Sequence, residues 1–225
     1  MPLYYIIDDV FPNPEKADKN GILAIGGNFS PELILKAYKK GIFHWFNESE
    51  LPVWYSPNPR MVLYPKDIKI SKSMKQLINQ NTFICTIDQA FNEVINQCRN
   101  TRIDEGTWIS DDIIDIYNIL HLQGFAHSIE VWQNNNLVGG LYGVALGKCF
   151  MGESMFNTVS NASKMAMIYL SQYLEKFQFK MIDCQVANPH LLNLGAVNIT
   201  RKQFLKDLAE NIDEPTNAFN KNDCT

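Results

Sequence analysis

The apolar period of this chain changes twice between Ala126 and Ala187, and those changes limit its fold more than any other feature. Segments 126–132, 137–146 and 148–156 have strand lengths and strand patterning, and turn signals at Asn134–Asn136 and Gly147–Lys148 join them. This predicts an antiparallel meander. From about Asn161 to Phe177 the repeat is helical, with Ala162, Met165, Ala166, Tyr169 and Tyr173 on one stripe. A short apolar run, KMIDCQVA at 180–187, then reads as a buried strand. Meander, helix and strand in that order imply a parallel pair across a helical crossover. The fold class is therefore α/β (α+β), with a mixed sheet.

Upstream, SPELILKAYKKG carries the punctuation of a helix. Ser30 can cap it, Pro31 suits its first turn, Lys39 and Lys40 suit its C-terminal end, and Gly41 can stop it. The next stretch, GIFHWFNESELPVWYSPNPR, is dense in aromatics, Pro and Asn, and Pro57 and Pro59 mark a boundary. We divide the chain there, into a small N-terminal domain at 1–59 and a larger domain at 60–225. A short helix is expected around Met74, Leu77 and Ile78. Asp88 precedes a helix with Phe91, Val94, Ile95 and Cys98 on one stripe, and Ser110 caps another with Ile113, Ile116, Tyr117 and Leu120 inside. The tail from Asn211 is polar and expected to fray.

Hydrophobic residues make up 46% of 225, enough for a sizeable core, and 20% charged residues is an ordinary globular share. Five widely spaced cysteines without a C-x-x-C pair argue against a disulfide framework and a zinc site. The four histidines lack metal-ligand spacing, so neither a metal nor another cofactor is expected. The opening MPLYYIIDDVF lacks the basic start and longer apolar stretch of an export signal, and no run approaches the roughly 20 residues of a bilayer span. A cytoplasmic location away from membranes follows as the expectation. A net charge of −4 does not suggest a nucleic-acid binder. Arg60, Lys66, Lys69, Lys72 and Lys75 nevertheless cluster against the single acid Asp67, and Arg201, Lys202 and Lys206 form a second group. Taken alone, a solvated helix face is the simpler account of both.

Within the last predicted strand, alternation places Asp183 and Gln185 on one face, where each could partner the other. Glu153, in GESMF, lies at the end of the preceding strand. If those strands are the parallel pair, Glu153 and Gln185 approach each other at the strand edge that ligand sites favour. A structural hydrogen-bond network and a reactive site are equally open at this point. Cys184 faces the other way and reads better as a buried hydrophobe than as a nucleophile served by His127 or His190. The stretch GGLYGVALGKC imitates a phosphate loop but has Tyr142 for its first glycine and Cys149 for its Ser/Thr. Four loop aromatics, Trp45, Trp54, Tyr55 and Trp108, suit either base stacking or packing between domains.

Several blocks converge on one family. ILAIGGNFSPE, AYKKGIFHWF, WYSPNPR, EGTWI, HSIEVW, LVGGLYGV, GESMF, NASKMA and IDCQV resemble, in order and spacing, the leucyl/phenylalanyl-tRNA–protein transferases. The resemblance runs from about Ile22 to Gly195, and GESMF followed by IDCQV is its most specific part. It implies a C-terminal domain of the acetyltransferase (GNAT) type. It also implies transfer of Leu, Phe and less readily Met from aminoacyl-tRNA to proteins beginning with Lys or Arg, which marks them for degradation by the N-end rule. The enzyme would act as a monomer. By the same resemblance Asp183 and Gln185 match the family's proposed catalytic pair, and Glu153 its active-site glutamate. Trp45 and Trp108 match aromatics near the tRNA 3′ adenosine. Leu141, Phe150, Met155, Met167 and Ile182 match the apolar pocket, and Lys72 and Lys75 the basic patch that meets the tRNA. His44 departs from the GIFPWF pattern, and Gln76 stands where a cation is common.

The implied reaction needs little apparatus. An aminoacyl ester is already activated, and an α-amine with a pKa near ~7.7–8.0 is partly neutral at physiological pH. Rival readings are an acyl-CoA-dependent N-acetyltransferase and a non-catalytic tRNA-binding module. The first would hold a pyrophosphate on backbone N–H groups, usually beside glycines, and FNTVSNAS (156–163) contains none. The second leaves the convergence of Asp183, Gln185 and Glu153 without a reason.

Overall fold

Two sheets organise the chain. The structure, a computed structural model, describes residues 4–47, 50–103 and 106–220. The smaller sheet has the order β1-β2-β4-β3, from β1 (Tyr4–Tyr5), β2 (Ile22–Ile25), β3 (Phe43–His44) and β4 (Val53–Tyr55). Helix α1 (Pro31–Lys39) connects β2 to β3. Ser30 Oγ accepts the Leu33 N–H at 3.2 Å, which satisfies a donor that the first turn leaves free. α1 buries Leu33, Ile34, Ala37 and Tyr38. Gly41 follows at φ +73°, and a Cβ there would lie 2.5 Å from the Leu205 side chain. The residue that ends α1 thus also lets it approach the C-terminal helix.

The larger sheet has the order β11-β5-β10-β9-β8-β7-β6. Its strands are β5 (Arg60–Leu63), β6 (Ile84–Ile87), β7 (Ala126–Gln133), β8 (Asn136–Leu146), β9 (Cys149–Asn157), β10 (Met181–Gln185) and β11 (Val197–Ile199). Every neighbouring pair is antiparallel except β9 and β10. The helices are α2 (Lys72–Asn79), α3 (Phe91–Asn100), α4 (Asp111–Leu122), α5 (Ala162–Lys176), α6 (Pro189–Asn193) and α7 (Arg201–Asn211). The expected meander is β7–β8–β9, the crossover is α5, and β10 is the parallel strand. The small sheet ends at Tyr55 and the large one begins at Arg60.

The large sheet is covered on both faces. On one, Tyr142, Val144 and Met151 share a core with Phe91, Tyr117, Leu33 and Trp54, which joins α3, α4 and the small sheet. On the other, Leu141, Phe150 and Ile182 pack with Met165, Met167 and Leu170 of α5. Alternation along β9 and β10 sends neighbouring residues to opposite cores.

The tail does not fray over its described part. Ile212 and Ala218 are buried, and the Phe219 ring stacks on His127 with centroids 3.9 Å apart. A few apolar residues anchor an otherwise polar segment; residues 221–225 lie outside the described residues.

Candidate active site

The parallel pair comes apart where the sequence placed the site. Its pairing runs Met181↔Cys149, Ile182↔Phe150 and Asp183↔Met151, then stops, while β9 continues along β8 to Asn157. The backbone turns at Gln185, two residues beyond the last pair. It sits at φ +64°, in the left-handed region that side chains other than glycine rarely adopt. Into the gap opens a cavity of about 210 Å³ whose walls include Leu141, Phe150, Met155, Met167 and Ile182. All five residues expected to form an apolar pocket therefore share one space. Its volume is below the roughly 300–1,000 Å³ of drug-sized sites, so it suits one amino-acid side chain rather than a whole nucleotide.

A second cavity is lined by Phe43, His44, Trp45, Trp108, Glu153 and Gln185. Glu153 and Gln185 line the first cavity as well, so they stand where the two meet. Trp45 is 47% exposed and free to stack on a ligand. Trp54, by contrast, is fully buried and donates Nε1–H to the Gly26 carbonyl at 2.8 Å. Tyr55 stacks on Phe43. Of the four loop aromatics, Trp45 and Trp108 line this cavity and Trp54 and Tyr55 do not. Glu105, in the EGTWI block, lies outside the described residues.

Asp183 and Gln185 are not side-chain partners, contrary to the expectation from alternation. A register shift between them breaks the alternation. Asp183 is buried and paired with Arg60, whose Nε and Nη2 donate to its Oδ1 at 2.8 Å and its Oδ2 at 2.6 Å. Phe43 and Phe204 hold the guanidinium between their rings, 4.6 and 4.5 Å from their centroids. Asp183 Oδ1 also accepts the backbone N–H of Gln185 at 3.0 Å. Asp183 therefore fixes the turned backbone of Gln185 and leaves the side-chain amide without a hydrogen bond among the described residues. Arg60 is likewise removed from the basic surface cluster, because it is buried.

Glu153 faces the other core. The Tyr38 hydroxyl donates to its Oε1. Tyr38 and Tyr117 hydroxyls are 2.7 Å apart, and Tyr117 lies 2.9 Å from His44 Nε2. Burial raises the Glu153 carboxyl to about 7, against the hydrogen bonds from Tyr38 and Tyr117, which favour its charged form. Asp183 adds to the rise and Arg60 opposes it. Burial alone drives His44 down to about 3, so its imidazole is neutral at physiological pH. Burial first, and then Glu153, push both tyrosines well above the ordinary phenol value. The arrangement offers a hydrophobic slot, an aromatic platform, a free amide and a carboxylate poised between protonation states.

These features coincide with a known sequence pattern. A sequence model described as leucyl/phenylalanyl-tRNA protein transferase matches residues 62–209, and the model of that family's N-terminal domain matches residues 27–58. The chain belongs to this family. A leucyl/phenylalanyl-tRNA–protein transferase of Flavobacterium johnsoniae is 50% identical over 92% of this chain and 99% of its own. One from Shewanella pealeana is 51% identical over 88% of this chain and 86% of its own. The chain is thus an enzyme, a transferase of the aminoacyltransferase class. Among solved structures it is similar to a GCN5-related N-acetyltransferase from Kribbella flavida, at 8% identity and a TM-score of 0.40 over 72% of this chain and 58% of that one. So remote a likeness carries no argument.

The remaining family-matched residues lie apart from the two cavities. Lys72 and Lys75 are exposed in the first turn of α2, with no ion pair among the described residues. Burial pushes the Cys184 thiol up, and neither His127 nor His190 hydrogen-bonds to it, so it cannot serve as a nucleophile at neutral pH. Sequence reasoning missed Arg60, Tyr38 and the hydroxyl of Tyr117. One signal was available: tyrosine on a buried helical stripe needs a partner for its hydroxyl.

Proposed function

We propose that this enzyme moves leucine, phenylalanine and, less readily, methionine from aminoacyl-tRNA to the N-terminal α-amine of proteins beginning with Lys or Arg. The products are marked for degradation by the N-end rule. The observation that carries this reading is that Glu153 and Gln185 line both an apolar cavity and an aromatic one. The donor side chain enters the first, among Leu141, Phe150, Met155, Met167 and Ile182. The terminal adenosine lies in the second, against Trp45 and Trp108, and Lys72 and Lys75 meet the tRNA backbone. The ester carbonyl then sits where the acceptor amine arrives, beside Gln185 and Glu153. The chain acts as a monomer in the cytoplasm, with residues 1–59 as a small domain and 60–225 as a GNAT-like transfer domain. The limits of the two matching sequence models support that division. Among the described residues no helix is long and apolar enough to cross a membrane.

The amine attacks the ester carbonyl carbon, a C–N bond forms, and the bond to the tRNA 3′ oxygen breaks. An amide is too weak a base to remove the proton, so Gln185 orients the amine through its free side-chain oxygen. Asp183 positions Gln185 through the backbone, and the Glu153 carboxylate draws the cationic N-terminal residue of the acceptor. Gln185→Ala should lower single-turnover transfer roughly 10- to 100-fold, because positioning supplies much of the rate. Donor tRNA binding should stay near wild type; transfer at the wild-type rate would remove the orienting role.

The decisive experiment supplies radiolabelled Leu-tRNA or Phe-tRNA and a protein with an N-terminal Arg, beside an N-acetylated copy. Label is expected on the free amine alone. An apolar slot separates single methylenes by only about 1–3 kcal/mol, so Phe, Leu and Met should all transfer to some degree and Lys should not. Absence of label, with donor and acceptor proved active on a known transferase, would reject the reading.

A further inference from the structure

The buried chain behind Glu153 ends on His44, a residue to which nothing above gives a role. His44 is 3% exposed and enclosed by the rings of Phe29, Phe46, Trp54, Trp108 and Tyr117. Proton counting along the chain gives it a direction. Tyr38 spends its only hydroxyl proton on Glu153, so toward Tyr117 the Tyr38 oxygen can only accept. Tyr117 has one proton to give, to Tyr38 or to Glu153 beside it, and in either case its oxygen must accept from His44 Nε2–H. In this state Nδ1 carries only a lone pair, and it has no partner among the described residues. With the chain reversed, Nδ1 would carry the proton. A buried N–H without an acceptor is the costlier orphan, since such donors are rarer in folded proteins than unmet acceptors. His44 is therefore a terminator that permits one direction and penalises the other.

We propose that His44 is a positioning residue for the transfer step, holding the Tyr117–Tyr38 chain so that it donates toward Glu153, and that the carboxylate so maintained takes up the proton of the attacking amine. The inference rests on the transfer reading above and deepens it. As the C–N bond forms and the C–O bond breaks, the amine proton passes to Glu153 and from there to the departing 3′ oxygen. No proton is left over and no co-reactant is needed. The groups that face Glu153 are Tyr38 from α1, Tyr117 from α4, Tyr142 from β8, Asp183 from β10 and Arg60 from β5. Hydrogen bonds donated to the carboxylate favour its charged form. Losing the fixed direction therefore moves Glu153 upward, and the acid side of the rate profile moves with it. Proline at this position would have no side-chain donor to end such a chain.

The test is the pH profile of single-turnover transfer between about pH 5.5 and 8.5, a range that covers both Glu153 and the acceptor amine. One acceptor is used throughout, so the amine contributes equally to every variant. His44→Pro should move the acid limb of the profile up by about one pH unit, with the rate recovering at high pH. His44→Gln, whose amide N–H can stand in for Nε2–H, should keep the limb in place. Tyr117→Phe should move it as His44→Pro does, and serves if the proline variant fails to fold. Glu153→Gln should remove the carboxylate's part of that limb and leave the acceptor amine's own. A folded His44→Pro or Tyr117→Phe that loses rate equally at every pH, or loses none, overturns the proposal. So does a Glu153→Gln profile as steep on its acid side as that of the wild type, or a limb that shifts as far in His44→Gln as in His44→Pro. A wild-type enzyme that transfers nothing rejects the transfer reading itself, a result distinct from an active enzyme with an unmoved limb.

Discussion

Arg60→Met should destabilise the fold by about 3–5 kcal/mol, the usual cost of stranding one member of a buried ion pair. Asp183 would be left in the core with only the Gln185 N–H to satisfy it. Against a typical total stability of about 5–15 kcal/mol, that loss takes up a large share of the whole. Asp183→Asn should cost a comparable amount, because the guanidinium between Phe43 and Phe204 would keep its charge without a counter-ion. Removing both charges is different: Arg60→Met with Asp183→Leu should recover much of the loss, since well-packed apolar pairs often replace buried ion pairs without penalty. The recovered protein should still transfer slowly, because Gln185 would have lost the acceptor that holds its turned backbone. Urea unfolding of the two single variants and the double, with transfer measured on each folded protein, checks both parts. An Arg60→Met cost below about 1 kcal/mol would mean that the pair does not hold the site together.

Gly143→Ala is expected to cost about 3 kcal/mol, at the upper end for overpacking a core. The added Cβ would lie 2.2 Å from the Met151 carbonyl oxygen and 2.5 Å from the Phe150 ring. The carbonyl belongs to the next strand and cannot yield without moving the ladder, so the Phe150 ring must give way. That ring forms part of the apolar cavity. Protein that still folds should therefore lose phenylalanine transfer more than leucine transfer. Unfolding curves and the ratio of the two donors measure this, and an unchanged ratio would separate Gly143 from the cavity.

The parts of the fold that were legible in the sequence are those whose signals are local. Period alone located β7, β8, β9, α5 and β10 to within a few residues, and Ser30 and Ser110 mark helix starts as expected. What escaped depends on distant partners. β5 and β11 are four and three residues long, and a leading arginine makes RMVL look like the start of a polar segment until Asp183 is brought beside it. Gln185 leaves the alternating pattern because of a bond from its own N–H to a side chain that Arg60 holds in place. The pocket residues and the two tryptophans were named through family resemblance, not through any local signal; the first five line one cavity and the tryptophans line the other. The proton chain was invisible because a helical stripe records that Tyr38 and Tyr117 are inside, not what their hydroxyls touch.

Strand order also bears on how the enzyme comes into being. β10 lies between β5 and β9, yet the ribosome makes it after both. As synthesis proceeds, Tyr38, His44 and Glu153 emerge well before Asp183 and Gln185. A nascent chain can build its meander and small sheet, but Arg60 has no counter-ion and the space between β5 and β9 has no occupant until that late segment is threaded in. If the site works as proposed, a translation product that stops short of Gln185 should be inactive. The strand that fills the centre of the sheet also carries Asp183 and Gln185, so the proposed site is complete only when that strand is in place.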